Sequence, residues 1–79
     1  MLTIIRTQKD SYVIAENVAK IFTNITGTSI CAEIIGNGDT IKNTVVLGTY
    51  NNKEKTQEVL CDLISYIQTG RSYNMPSDI

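Results

Sequence analysis

The sequence predicts a single α+β domain, an antiparallel β-meander of three to five strands with one C-terminal α-helix packed on one face. Three observations predict this fold. Short runs rich in β-branched residues fill the first part of the chain, an Asn-Gly pair separates two of these runs, and a long segment near the end repeats apolar residues at helical spacing. The length of 79 residues suits one domain and leaves no room for a second.

The first predicted element is a β-hairpin. Residues 2–7 form a short β-branched run that suits a strand, and residues 12–15 form the returning strand. Between them, residues 8–11 have the polar composition of a turn. Glu16 and Asn17 then mark the next break in the pattern.

Residues 18–25 fit two patterns. Helical spacing would group Val18, Ile21, Phe22 and Ile25 on one face. Strand alternation would group Ala19, Ile21, Thr23 and Ile25. The Thr and Asn residues in the second half of this segment favour a strand, but the helical alternative stays open because short apolar runs cannot be resolved by periodicity.

A second hairpin follows. Residues 29–35 and 40–47 are β-branched runs, and Asn37 and Gly38 lie between them. Asn-Gly in this position is the strongest short hairpin signal, because both central residues of the tight turn need positive φ. A phosphate-binding glycine loop would need a helix directly afterwards, and the residues that follow Gly38 do not suit one.

The last predicted element is a helix over about residues 52–69, followed by a short tail over 71–79. Asn51 is the expected N-cap, Glu54 completes a capping-box-like start, and Gly70 supplies the C-terminal stop. The apolar stripe of this helix is made by Val59, Leu60, Leu63, Ile64 and Ile67.

Apolar residues are in excess on the predicted sheet. If Ile30, Ala32 and Ile34 point inward, then Cys31 and its neighbours point outward, and the outer face is not cleanly polar. One helix covers only one face. The sequence therefore predicts a homodimer that forms through the sheet face not covered by the helix, or contact with an unidentified protein partner. The alternative is a sheet that is curled or partly covered by its own chain.

Charge and residue types exclude several classes of function. Seven basic and eight acidic residues give a net charge of −1, and the basic residues are scattered, which argues against nucleic-acid binding. Histidine is absent, and two cysteines without a Cys-x-x-Cys pair cannot complete a zinc site. Glu58 and Asp62 suit a solvated helix face. The sequence predicts no catalytic, cofactor-binding or metal site.

Two further expectations concern the thiols and the compartment. At 100° per residue, Cys61 lies about 125° from the centre of the apolar stripe, so its exposure stays open. The first residues lack the basic and apolar segments of a signal peptide, and no apolar run approaches a membrane span. The sequence therefore predicts a cytoplasmic protein with reduced thiols and no membrane association.

The strand end Leu47-Gly48-Thr49-Tyr50, followed by Glu58-Val59-Leu60 in the predicted helix, resembles a family of short uncharacterised proteins from Gram-positive bacteria and their prophages. The family shows a Leu-Gly-x-Tyr strand end followed by an amphipathic C-terminal helix, and the matching segments here are residues 45–50, Glu54, residues 58–60, 4–8 and 73–76. Thr56 departs from the pattern, since such proteins often carry Ala there. The resemblance implies that Gly48 lets the strand end turn and that Tyr50 packs over the helix start, and it implies no chemistry.

The function predicted from these observations is that of a non-enzymatic accessory protein, of bacterial or prophage origin, that acts through protein–protein contact. The alternative is a weak nucleic-acid-binding module.

Overall fold

The computed structural model describes residues 2–35 and 42–77. Within them lie six strands and one α-helix: β1 (Ile4–Arg6), β2 (Tyr12–Ile14), β3 (Val18–Thr23), β4 (Ser29–Ile35), β5 (Lys42–Thr49), α1 (Lys53–Gln68) and β6 (Tyr73–Asn74). The predicted α+β class with one C-terminal helix is confirmed. The described part of the chain holds no helix long and apolar enough to cross a membrane.

The strands form two three-stranded sheets. The small sheet has the order β2-β1-β6, and the large sheet has the order β3-β4-β5. All neighbours are antiparallel except β1 and β6, which run parallel with Ile5 opposite Tyr73. The large sheet is a meander, as the sequence predicts, and the extra strand β6 comes from the segment predicted as a tail.

The segment after the helix is held by burial. Tyr73 and Met75 are both buried, and the Met75 N–H donates to the Arg6 carbonyl at 2.9 Å. The described part of the predicted tail, residues 71–77, is therefore not simply a tail. The two apolar side chains at 73 and 75 anchor the segment beside β1, and a two-residue strand is too short to show a periodic pattern.

The ambiguous segment 18–25 begins with a strand, so the favoured interpretation is correct. β3 ends at Thr23, and Asn24 opens the turn that leads to β4. The Asn24 Oδ1 atom accepts hydrogen bonds from the N–H groups of Thr28 and Ser29, at 3.0 and 3.1 Å. Gly27 has φ of +73°, a value that favours glycine.

β4 and β5 pair along their whole length, from Ser29 opposite Thr49 to Ile35 opposite Lys42. The register shifts between Ile30 and Cys31, which marks a β-bulge on β5. The Asn37-Gly38 turn that the sequence predicts lies outside the described residues.

The helix begins one residue later than predicted, because Asn52 rather than Asn51 is the N-cap. Its Oδ1 atom accepts from the Lys55 N–H at 2.7 Å, so position N3 is Lys55 and the predicted capping box with Glu54 does not form. The Asn52 carbonyl also accepts from the Thr56 hydroxyl at 2.9 Å, which allows this polar side chain to be fully buried.

The buried stripe of α1 is centred on Thr56, Val59 and Leu63. Leu60 and Ile67, which the sequence also assigns to the stripe, flank this centre and are half-buried. Ile64 was assigned to the same stripe, but its side chain is 37% exposed and lies at the margin. The centre of the buried stripe lies nearer Thr56 than the sequence predicts. Thr56 is polar, so a search for apolar residues at helical spacing does not include it.

α1 ends at Gln68, and Gly70 supplies the C-terminal stop two residues later, as predicted. Gly70 has φ of +73°, and its N–H donates to the Ile67 carbonyl at 3.1 Å while the Arg71 N–H donates to the Tyr66 carbonyl at 2.9 Å. These two bonds define a Schellman motif, which a residue with a side chain would enter only at a cost in backbone strain.

One hydrophobic core lies between both sheets and the helix. Its buried members are Ile5, Val13, Ile30, Ala32, Leu47, Tyr50, Val59, Leu63, Tyr73 and Met75. All three layers contribute to the same cluster, so the helix closes the space between the inner faces of the two sheets. The outer face of each sheet points away from this core.

Candidate functional site

The candidate site is the outer face of the large sheet, which we call the open face: Lys20, Phe22, Cys31, Glu33, Thr44 and Val46. Side chains alternate along a strand, and Ile30 and Ala32 of β4 lie in the core. Cys31 and Glu33 therefore lie on the opposite side. Their neighbours on β3 and β5 follow from the register.

An apolar row crosses the middle of the open face. Phe22 of β3 is opposite Cys31 of β4, and Cys31 is opposite Val46 of β5. Phe22 is half-buried and Val46 is 48% exposed. Cys31 is only 6% exposed although it is outside the core cluster, because the two larger side chains flank it on the central strand.

The next row of the open face is polar. Lys20 is opposite Glu33, which is opposite Thr44. The Lys20 ammonium lies 5.2 Å from the centre of the Phe22 ring, within cation–π range. The open face thus combines an apolar row with one flanking row of charged and hydroxyl groups.

Cys31 is the buried thiol of the open face, and its burial raises the pKa of the thiol above its ordinary value. A raised pKa leaves less thiolate at neutral pH, and the thiolate is the nucleophile. Cys31 therefore acts in this face as a small apolar group. The second thiol, Cys61, is free and exposed on the helix, which answers the question that the sequence left open.

A second apolar surface lies on the outer face of the small sheet. Leu2, Ile4 and Tyr12 are 58%, 39% and 67% exposed. The strands beneath them have three, three and two residues, so this surface has little sheet to support it. Beside it, Arg6 and Asp10 form an exposed ion pair at 2.7 Å, a type of contact worth little in free energy.

The acidic residues singled out in the sequence lie on the exposed side of α1. They border a surface hollow whose described lining belongs to the helix alone: Lys53, Glu54, Gln57, Glu58, Cys61 and Asp62. Side chains of one helix do not enclose a ligand. Among residues 2–35 and 42–77, no group of three or more Cys, Asp or Glu side chains is placed to hold a metal ion.

The four tyrosines have different roles. Tyr50 and Tyr73 are buried in the core, and the Tyr50 hydroxyl donates to the Pro76 carbonyl at 2.9 Å. Tyr66 packs edge-on against Tyr73 with ring centres 4.8 Å apart, and the Arg71 guanidinium lies 4.4 Å from the Tyr66 ring centre. Three of the four rings therefore take part in packing.

Gly48 and Tyr50, on which the resemblance partly rests, meet directly. A Cβ atom at Gly48 would lie 2.8 Å from the Tyr50 hydroxyl oxygen. The β5 strand continues through Thr49, and Gly48 does not have positive φ. Glycine is therefore required here by close approach, not by a turn, which corrects the role that the resemblance implied.

Comparison with known proteins gives no further assignment: no family model, no curated protein and no solved structure matches the chain. The resemblance to the prophage proteins therefore stays a prediction. Sequence reasoning found the apolar excess on β4 and β5, but it missed Lys20 and Phe22. Alternation along residues 18–25 would have placed Lys20 and Phe22 on the outer face. That inference requires knowing that β3 is a strand and not a helix.

Proposed function

We propose that this protein is a non-enzymatic accessory protein that acts through protein–protein contact and forms a homodimer through its open face. The observation that carries the proposal is the row of Phe22, Cys31 and Val46 across all three strands of the large sheet. Exposed Val46 and half-buried Phe22 lie on either side of Cys31, and this row gains free energy when another apolar surface covers it.

The large sheet is preferred over the small sheet because of its size. Its strands have six, seven and eight residues, whereas those of the small sheet have two or three. Three strands spaced about 4.8 Å apart and about 23 Å long give a footprint of roughly 300 Å². This is below the roughly 800 Å² per partner of a stable complex, so we expect a dimer that dissociates on dilution.

Sedimentation velocity over a wide concentration range tests the proposal. The wild-type protein should show a sedimentation coefficient that rises with concentration. Val46→Glu places a charge on the open face at a position exposed enough to leave the fold intact, and it should sediment as a monomer throughout. Ile4→Glu is the matched control on the small sheet and should behave like the wild type. A wild-type protein that stays monomeric at the highest concentration would contradict the proposal.

A further inference from the structure

The described part of the core is incompletely closed along one side, between β3 and the second half of α1. A hollow of about 270 Å³ runs there, and we call it the β3–α1 groove; it is lined by Ala15, Val18, Ala19, Lys20, Ile21, Ile64 and Ile67. Val18, Ile21 and Ile67 are half-buried and pack against the core, while Ile64 is 37% exposed. One wall of the groove is a strand and the other is a helix.

The strand that forms this wall is an edge strand. β3 is the last strand of the large sheet on its side, and alternate backbone N–H and C=O groups of an edge strand have no partner within the sheet. Within residues 2–35 and 42–77, the one main-chain hydrogen bond that reaches β3 from outside the sheet is at its first residue, where the Val18 N–H donates to the Ala15 carbonyl. Ala19, at the register shift of β3, is exposed and offers only a methyl group as cover.

At the opposite edge of the same sheet, the main chain at the end of β5 is hydrogen-bonded by another part of the protein. At the end of β5, the Gln8 side chain bonds to both the N–H and the carbonyl of Thr49, and the Gln8 N–H donates to the Leu47 carbonyl. The fold therefore covers this end of β5 from within the chain, and the described residues provide no equivalent cover for β3.

We propose that the β3–α1 groove binds an extended apolar segment of another protein. The segment adds to the large sheet as a fourth strand beside β3, and every second side chain enters the groove between Val18 and Ile21 on one wall and Ile64 and Ile67 on the other. An edge strand beside a helix is a recurrent arrangement for binding peptides in this way, because backbone hydrogen bonds supply affinity and the side-chain hollow supplies selectivity.

Charge defines the segment further. Lys20 is the one charged residue among those that line the groove, and the only ion pair among the described residues joins Arg6 to Asp10. An acidic side chain on the bound segment would complement Lys20. A second copy of this chain fits less well, because symmetric antiparallel pairing of the six-residue β3 strands brings the two Lys20 residues to neighbouring positions, where like charges are destabilising.

Selection from a library of random dodecapeptides displayed on phage tests this inference. The wild-type protein should enrich peptides that alternate apolar residues, contain Asp or Glu and lack Pro within the apolar stretch. Ile64→Glu should bind the enriched peptides about tenfold or more weakly. Lys20→Glu, a change at an exposed position, should enrich basic residues in place of acidic ones. Val46→Glu, on the open face, should bind like the wild type, which separates this proposal from the dimer.

Titration of the ¹⁵N-labelled protein with an enriched synthetic peptide supplies the second readout. The amide signals of β3 and of the second half of α1 should shift and saturate. The proposal is overturned if the wild-type protein enriches no sequence, if Ile64→Glu binds as well as wild type, or if Lys20→Glu selects the same acidic peptides. It is also overturned if, in the Val46→Glu variant that does not dimerise through the open face, the β3 amides shift with the protein's own concentration, since a second copy would then occupy the edge.

Discussion

The side-chain amide of Gln8 pairs with the main chain of Thr49 as a neighbouring strand would. Its Oε1 atom accepts from the Thr49 N–H at 2.7 Å, and its Nε2 atom donates to the Thr49 carbonyl at 3.2 Å. Nε2 also donates to the Pro76 carbonyl at 2.9 Å. One side chain thus joins the β1–β2 turn, the end of β5 and the segment after β6.

Gln8→Glu should destabilise the protein by about 1–2 kcal/mol, because a carboxylate oxygen would replace the donor that faces the carbonyls of Thr49 and Pro76. Urea-induced unfolding, followed by circular dichroism, measures the effect. Gln57→Glu makes the same chemical change on the exposed side of α1 and should shift the free energy of unfolding by less than about 0.5 kcal/mol. Equal effects of the two substitutions would contradict the bridging role of Gln8.

Gly48→Ala should cost about 1–3 kcal/mol, since its Cβ would lie 2.8 Å from the Tyr50 hydroxyl oxygen and 3.2 Å from the Met75 Cε atom. Tyr50→Phe removes the atom that clashes most. The double variant should therefore be more stable than the sum of the two single effects predicts, by at least about 0.5 kcal/mol. Chemical denaturation of the wild type, the two single variants and the double variant completes this double-mutant cycle. If the two effects on the free energy of unfolding simply add, the contact with the Tyr50 hydroxyl is not what makes Gly48→Ala destabilising.

Asn52→Ala should destabilise the protein by about 1 kcal/mol, because it removes the side-chain acceptor for the Lys55 N–H. Asn51→Ala is the matched control, one residue outside the cap, and should have a much smaller effect on the free energy of unfolding. If thermal unfolding ranks the two variants in the opposite order, the helix begins at the residue that the sequence first suggested.

Glu16 should make the stability depend on pH. The Thr3 N–H donates to both carboxylate oxygens, at 3.0 and 3.2 Å, and these bonds lower the pKa of Glu16 in the folded protein. A lowered pKa contributes stability above the unfolded-state value of about 4.3, and this contribution is lost as the pH falls through the folded-state value. The wild-type protein should therefore exceed Glu16→Gln in stability at pH 7.

Denaturation at pH values from 7 to 3 measures the difference in the free energy of unfolding between the wild type and Glu16→Gln. This difference should shrink once the pH falls below about 4.3. A difference between the two proteins that is constant over this range would mean that the charge of Glu16 is not involved.

The sequence predicted those elements whose burial follows a simple period. The β4 run alternates because Ile30 and Ala32 face the core, and α1 repeats because Val59 and Leu63 do. β3 was ambiguous because Ile21 satisfies both periods. Only its pairing with Ala32 of β4, a contact between distant segments, decides between them.

Other features left no readable pattern. β6 has two residues, and its place beside β1 depends on the burial of Tyr73 and Met75 after the chain has crossed the core with the helix. Two consecutive Asn residues precede α1, and the choice of Asn52 as the cap depends on the burial of Thr56 one turn later. Of the open face, the sequence indicated Cys31, whereas Phe22 depended on the assignment of β3.

The parallel pairing of β1 with β6 has a consequence for biosynthesis. It places Ile5 opposite Tyr73 and Arg6 opposite Asn74, so β1 receives its second strand neighbour only after residues 73 and 74 have left the ribosome. The β3-β4-β5 meander is built from pairings between consecutive strands and can assemble earlier. A nascent chain that stops after the helix would leave one side of β1 without its strand partner, open to chaperones and proteases.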